Sequence, residues 1–208
     1  MVIVTGEPTG PPATDAAVIE QSWAAPERFE TIFRRYFGQV HRYLAARVGG
    51  RIADDLAAEV FTVAFAQRQR YDLARDCARP WLYGIATNLV GSYRRREQRR
   101  YRALARMDAR GVAPSDEDLV AERVSAAAAG PALAAALAGL GSGDRDVLLL
   151  VAVAGLDNQE VAVSLGIPYG TVCSRLSRAR TRLREALGGT NPAGSIDPAG
   201  RRTEQPHG

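Results

Sequence analysis

Residues 157–187 read DNQEVAVSLGIPYGTVCSRLSRARTRLREAL, and this stretch decides the fold. Asp157 and Glu160 have the spacing of a capping box at the start of a helix. Gly166 stands where a chain leaving a helix often needs positive φ, and Pro168 prevents the helix from continuing. In the residues that follow, apolar side chains recur every three or four positions. Two short helices around a tight turn predict a helix-turn-helix.

The second of these helices is rich in arginine. Five arginines fall largely off its apolar stripe: Arg175, Arg178, Arg180, Arg182 and Arg184. Arginines on an amphipathic helix often form only a solvated face. The caps and the turn favour DNA reading instead, because a short first helix can present the second to the major groove, where arginine contacts guanine.

Composition and length limit the remaining possibilities. The chain has 208 residues, 46% of them hydrophobic, which is normal for a globular protein. All 27 basic residues are arginine, which suits contacts to phosphate and guanine but also arises from a GC-rich genome. Cys77 and Cys173 belong to no cluster, so we expect no disulfide, metal site or cofactor. No signal peptide or membrane-spanning run is apparent, which predicts a cytoplasmic protein without membrane insertion.

The pattern along the chain predicts an all-α protein of two small helical domains joined by a flexible linker. The predicted parts are a disordered N-terminal tail (1–26), a first domain (27–102), a linker (103–130), a second domain with the helix-turn-helix (131–187) and a disordered C-terminal tail (188–208). Within the first domain we expect helices near residues 53–67 and 80–102, with a loop at 71–79.

Residues 80–96, PWLYGIATNLVGSYRRR, combine aromatic rings with a cationic end. Trp81, Tyr83 and Tyr93 offer flat faces on which bases can stack, and Asn88 offers an amide for a base edge. The terminal arginines, Arg94, Arg95 and Arg96, can hold phosphates. Ile85 and Leu89 are expected in the core. Trp81 could equally be a core residue, and Asn88 an ordinary surface amide.

With these residues the chain resembles the extracytoplasmic-function (ECF) alternative sigma factors of bacterial RNA polymerase. The motifs are DDLAAEVFTVAF, RPWLYGIATNL, RDVLLL and GIPYGTVCSRLSRAR, in that order. The resemblance implies sigma domains 2 and 4, no enzymatic activity, and a role in promoter recognition. Its implied partners are the largest and second-largest subunits of the polymerase core, promoter DNA and an anti-sigma factor.

The resemblance also assigns roles to residues. The helix that would bind the clamp of the largest subunit contains Asp54, Asp55, Leu56, Glu59, Val60 and Phe61. The segment that would open the minus-ten element contains Asp72, Arg75, Arg79, Trp81, Tyr83, Asn88, Tyr93, Arg94, Arg95 and Arg96. The helix that would read the minus-thirty-five element as duplex presents Tyr169, Thr171, Cys173, Ser174, Arg175, Ser177, Arg178 and Arg180.

The sequence departs from the family pattern at one position and leaves several alternatives open. Cys173 stands where the family often has a basic residue, so the promoter sequence cannot be copied from relatives. The acidic residues 116–118 could mimic nucleic acid or be solvated linker charge. The first alternative is a stand-alone LuxR-like regulator that binds duplex DNA by itself. An enzyme is disfavoured, because His41 and His207 are the only histidines and no phosphate-binding loop or nucleophile elbow is present.

Overall fold

The computed structural model describes residues 13–107 and 130–188. These residues form eight α-helices and no strand, which confirms the all-α prediction. The helices are α1 (Asp15–Gln21), α2 (Glu30–Val48), α3 (Gly50–Gln67), α4 (Arg79–Met107), α5 (Gly130–Ala138), α6 (Ser142–Ala152), α7 (Asn158–Leu165) and α8 (Tyr169–Ala186). Short 3₁₀ turns at Pro26–Phe29 and Arg68–Arg70 connect α1 to α2 and extend α3.

Helices α2, α3 and α4 form the core of the first domain. A single residue, Gly49, separates α2 from α3, and its φ of 81° is a conformation that residues with a side chain seldom adopt. Ile32 and Leu44 of α2 pack with Val60 of α3, all without exposed surface. The reversal at Gly49 therefore lets two long amphipathic helices bury their apolar stripes against each other.

Helix α4 is longer than the sequence pattern predicts. It continues to Met107, past the predicted helix end near residue 102, and the rest of the predicted linker (108–129) lies outside the described residues. Leu82, Ala86 and Val90 form its fully buried stripe. Ile85 and Leu89, expected in the core, are half-buried at its margin.

The predicted N-terminal tail is wrong for residues 14–26. Thr14 caps α1 by accepting a hydrogen bond from the backbone N–H of Ala17, and Ile19 has no exposed surface. Two helical turns are too short to give a clear periodic signal, and tertiary packing stabilises a helix that propensity alone would leave marginal. Residues 1–12 and 189–208, which complete the two predicted tails, lie outside the described residues.

The second domain contains the predicted helix-turn-helix as α7 and α8. The capping box is present: the N–H of Glu160 donates to the Asp157 carboxylate at 2.8 Å, and the N–H of Asp157 donates to Glu160 at 2.9 Å. Gly166 ends α7 with φ 61° and ψ 37°, the left-handed conformation expected there. Val172 and Leu176 of α8 are buried, so its apolar stripe faces the domain core.

Within the two described ranges, none of the helices combines the length and apolarity needed to cross a lipid bilayer.

Candidate nucleic-acid interface

The outer face of α8 is polar and accessible. Tyr169, at its first turn, is 52% exposed, and Ser174, Ser177 and Arg180 are exposed along the same helix. Thr171 is half-buried. The opposite side of the helix carries the buried stripe of Val172, Leu176 and Ala179, which fixes the direction of the polar face. The helix therefore presents hydroxyl and guanidinium donors to solvent.

Two arginines of α8 that are predicted to contact DNA lie against α6 in the structure. Arg178 donates through Nε and Nη2 to the two oxygens of Asp144, at 3.3 and 3.0 Å. The hydrogen bond and the charge of Asp144 raise the pKa of Arg178. Arg175 lies so close to Gly143 that a Cβ there would meet its guanidinium at 2.8 Å. Both side chains thus lie against α6 of the same domain.

Cys173 lies in the first half of α8, on the side of the helix that approaches α7. Its side chain is half-buried, and the Nδ2 atom of Asn158 lies 3.8 Å from its sulfur. A thiol in contact with the first helix of the motif offers DNA no cation.

A second exposed polar face runs along α4. Asn88 and Arg96 are exposed, and so is Arg95, which donates to the hydroxyl of Ser92 at 3.0 Å. Arg94 is half-buried and donates to the backbone carbonyl of Arg47 at 3.1 Å. The arginine triplet is therefore divided between the surface and the inner side of the helix.

The aromatic residues of α4 are less accessible than the sequence predicts. Tyr83 is 1% exposed and packs edge-on against Tyr43, with the ring centroids 5.1 Å apart, so its assignment as a DNA contact is wrong. Burial raises the pKa of Tyr83. Trp81 is half-buried against the ring of Tyr71, at 5.0 Å. Tyr93 is half-buried as well.

The loop before α4 has its own internal bonds. Asp72 accepts from the backbone N–H of Ala74 at 3.1 Å and from Nε of Arg75 at 3.0 Å. Both charged side chains are about half exposed, 57% for Asp72 and 46% for Arg75. They stand at the surface, where a nucleic acid could reach them, but the ion pair is exposed and contributes little to stability.

Only some of the α3 residues predicted to bind the polymerase are exposed to solvent. Asp54, Asp55 and Glu59 are exposed on α3, and Oδ1 of Asp54 accepts from Nε2 of His41 at 2.8 Å. Three further residues assigned to this site are buried in the core: Leu56, Val60 and Phe61. Their assignment is wrong, because they lie on the apolar side of α3 that packs against α2.

The two domains contact each other where α4 begins. Arg79 donates to both carboxylate oxygens of Glu160, at 3.0 and 2.8 Å, and to the carbonyl of Gly155 at 3.3 Å. The hydroxyl of Ser164 donates to the carbonyl of Pro80 at 2.7 Å. Glu160, part of the capping box, thus also holds α7 against the first turn of α4.

A second ion pair crosses the same interface. Arg47 of α2, whose side chain is only 2% exposed, pairs with Asp146 of α6 and donates to the hydroxyl of Tyr43 at 2.6 Å. Burial of a guanidinium is costly unless it is paired, so Asp146 is needed in this arrangement. No local sequence pattern indicates these contacts, because the partners lie far apart in the chain.

The fold and its exposed faces define the class: a two-domain helical protein whose helix-turn-helix accompanies a second polar helix. The family Sigma-70 region 2 matches residues 32–100, and Sigma-70 region 4 matches residues 131–183. The chain is 33% identical to the ECF RNA polymerase sigma factor SigE of Mycolicibacterium smegmatis over 87% of this chain and 68% of that protein. It is 32% identical to SigC of Mycobacterium tuberculosis over 69% of this chain and 75% of that protein.

A solved structure, CnrH in complex with the cytosolic domain of CnrY, shares the fold with a TM-score of 0.60 and 22% identity, over 85% of this chain and 99% of that one. The sigma factor RpoE of Bartonella quintana in complex with the anti-sigma factor NepR has a TM-score of 0.59 and 22% identity, over 78% and 98%. The chain belongs to the ECF sigma factors of the sigma-70 family. It is therefore a DNA-binding protein of transcription initiation, and the stand-alone LuxR-like alternative loses its support.

Proposed function

We propose that this chain directs the RNA polymerase core to specific promoters by reading two promoter elements in different states. Helix α8 reads the minus-thirty-five element as duplex, and the segment at residues 72–96 captures the melted minus-ten strand. The observation that carries this proposal is the presence of two separate exposed polar faces, on α8 and on α4, in two different domains.

The face of α8 suits a major groove. Tyr169, Ser174 and Ser177 supply hydroxyls near the start of the helix, where recognition helices usually contact base edges. Arg180 is exposed further along and can contact a phosphate. Arg178 can reach DNA only by leaving Asp144, which makes it a poorer candidate for base reading.

The face of α4 suits a single strand. Asn88, Ser92, Arg95 and Arg99 are exposed at steps of four, three and four residues, so they line one side of the helix. The amide can bond the edge of an unstacked base, and the guanidiniums can hold the phosphates that follow. Capturing the base offsets part of an unstacking cost of a few kcal/mol, so melting and recognition become one step.

The acidic residues of α3 are the proposed contact with the clamp of the largest polymerase subunit. Asp54, Asp55 and Glu59 are exposed there, and the second-largest subunit is the proposed partner of the second domain. Because the chain is proposed to act on RNA polymerase, we also propose a cytoplasmic location. The solved CnrH and RpoE structures are complexes with the cytosolic domain of CnrY and with the anti-sigma factor NepR, which supports an anti-sigma partner for this chain as well.

Reading both elements requires the two domains to separate. The elements lie about 25 base pairs apart, which is roughly 85 Å of duplex. In the described form Arg79 of the strand-capturing segment instead contacts Glu160 of the helix-turn-helix at 2.8 Å. The 22 residues between Met107 and Gly130 can reach at most about 75 Å, enough with the domains themselves to span the promoter. We therefore propose that the described arrangement opens on the polymerase.

Run-off transcription tests the proposal. Purified chain and core polymerase are incubated with genomic fragments, beginning with the DNA upstream of the chain's own gene, and permanganate reactivity of thymines reports strand opening. We expect initiation at a discrete site only when chain and core are both present. In Asn88→Ala, strand opening should fall while binding to minus-thirty-five duplex is kept, and in Arg180→Ala duplex binding should fall.

Two results would contradict the proposal. One is the absence of specific initiation with a chain that binds core. The other is tight operator binding by the free chain that core does not change, which is the behaviour of a stand-alone regulator.

A further inference from the structure

The segment before the first family match carries a buried carboxylate. Asp15, in the first turn of α1, has a side chain that is only 3% exposed. The match to Sigma-70 region 2 begins at residue 32, so α1 lies outside it. A buried carboxylate is costly unless it is paired and hydrogen-bonded, so its partners identify what the residue does.

Three donors surround this carboxylate. The hydroxyl of Tyr36 donates to Oδ2 at 2.5 Å, the backbone N–H of Ala78 donates to the same oxygen at 2.7 Å, and Arg35 pairs with Oδ1. In addition, the backbone N–H of Asp15 donates to the carbonyl of Asp76 at 3.0 Å. Asp15 thereby holds the backbone on both sides of Cys77, in the loop that precedes α4.

This contact reaches the start of the strand-capturing helix. Ala78 has no exposed surface, and its carbonyl accepts from the N–H of Leu82 at 3.0 Å, in the first turn of α4. Arg79 follows directly. A shift at Ala78 would therefore move Arg79, which is among the predicted contacts of the melted strand.

The geometry points to a role for α1 that the sequence did not predict: we propose that Asp15 is a positioning residue for the strand-capturing segment. It acts through the backbone of Asp76 and Ala78 and does not touch DNA. The inference rests on the proposed function, since it names a residue that orders the segment to which that function assigns the melted strand.

The matched substitution is Asp15→Asn, which keeps the shape and removes one acceptor. A carboxylate offers two acceptor oxygens, whereas the amide offers one and turns an NH₂ group toward donors. At least one of Tyr36, Arg35 and Ala78 then loses its acceptor. The control is Thr14→Ala, which removes the cap of the same helix and weakens it but leaves the carboxylate in place.

The first measurement uses holoenzyme and a fluorescent single-stranded oligonucleotide with the mapped minus-ten sequence. We expect Asp15→Asn to bind the oligonucleotide about tenfold more weakly, the effect of losing one charge-assisted hydrogen bond to a buried donor. Affinity for core and for minus-thirty-five duplex should stay at the wild-type level. Thr14→Ala should remain within about twofold of wild type in all three measurements, because its loop contact is intact.

The second measurement does not depend on DNA. Cys77 lies between the two backbone groups that Asp15 holds, is exposed, and its sulfur is 3.6 Å from the Tyr36 hydroxyl. Its alkylation rate reports the order of the loop, and Cys173 in the other domain serves as an internal reference. Asp15→Asn should raise the alkylation rate of Cys77 and leave that of Cys173 unchanged.

Each outcome decides the matter. Wild-type oligonucleotide binding by Asp15→Asn, or equal losses in Asp15→Asn and Thr14→Ala, would overturn the positioning role and leave α1 as a stabilising helix only. If the wild-type chain fails to direct initiation with core, the proposed function fails. The alkylation rate of Cys77 then still tests whether Asp15 orders the loop.

Discussion

Replacing Gly84 by alanine should separate the two domains without weakening either one. A Cβ at Gly84 would lie 2.5 Å from the backbone carbonyl oxygen of Ser164 in α7. The obstacle is a backbone atom, which no rotamer change can remove. Helix α7 must therefore withdraw from α4, and this withdrawal lengthens the hydrogen bond from Ser164 to Pro80 and the ion pair between Arg79 and Glu160.

The magnitude follows from these contacts. An overpacked methyl group costs about 1–3 kcal/mol, and the lost hydrogen bond about 1 kcal/mol. Together we expect the closed arrangement to lose about 3 kcal/mol, which shifts the opening equilibrium by roughly a hundredfold. Within α4 the same change is favourable by up to about 1 kcal/mol, because alanine is a better helix former than glycine.

Small-angle X-ray scattering measures the expected result as an increase in radius of gyration. The control is Gly38→Ala, in the middle of α2, where a Cβ would meet nothing within 4 Å. It gains the same helix propensity but touches no interface. The thermal midpoint of the first domain should not fall in either variant.

An unchanged radius of gyration in Gly84→Ala would refute the reasoning, because the close approach of α4 and α7 would then not exist in solution. Expansion of both variants to the same extent would also refute it, since the effect would then come from helix propensity and not from the contact with Ser164.

Three further predictions follow from single residues. Asp146→Asn leaves Arg47 without its ion-pair partner, so the interface should weaken by about 3 kcal/mol and the chain should expand in scattering experiments. Burial, together with the hydrogen bond to Asp15, raises the pKa of Tyr36 above its ordinary value. The contribution of the protonated Tyr36 to stability is complete below pH ~10. As the pH rises from there toward the folded-state pKa, the free energy of unfolding falls by up to about 1.4 kcal/mol per pH unit. Urea unfolding measured between about pH 9 and about pH 11 should therefore show a shallower alkaline loss of stability for Tyr36→Phe than for the wild-type chain. Arg180→Ala should reduce the salt dependence of holoenzyme binding to minus-thirty-five duplex by about one phosphate contact, and Arg178→Ala should reduce it less.

The helix-turn-helix is the part of the fold that short-range sequence patterns predict best. The capping box of Asp157 and Glu160 and the left-handed Gly166 were predicted from spacing alone, and the structure confirms them. Each depends on residues within four positions of one another, so the chain order itself contains the information. The ECF family was also recognisable from the sequence, because its motifs occur in a fixed order along the chain.

The candidate site was predicted less well. Tyr83 was expected to meet a base and lies in the core, as do Leu56, Val60 and Phe61 of the expected polymerase surface. A helical period identifies which residues share a face but not how wide the buried face becomes once two other helices pack on it. Asp15 was assigned to a tail because seven helical residues carry too little periodic signal.

The sequence by itself determined the all-α fold class, the helix-turn-helix with its caps, and the family. Only the tertiary structure decided that Asp15 holds the loop before α4 and that Arg79 pairs with Glu160, 81 positions away. The physical reason is that caps and amphipathic stripes act within one or two helical turns, whereas buried ion pairs and close backbone contacts depend on which helices pack together.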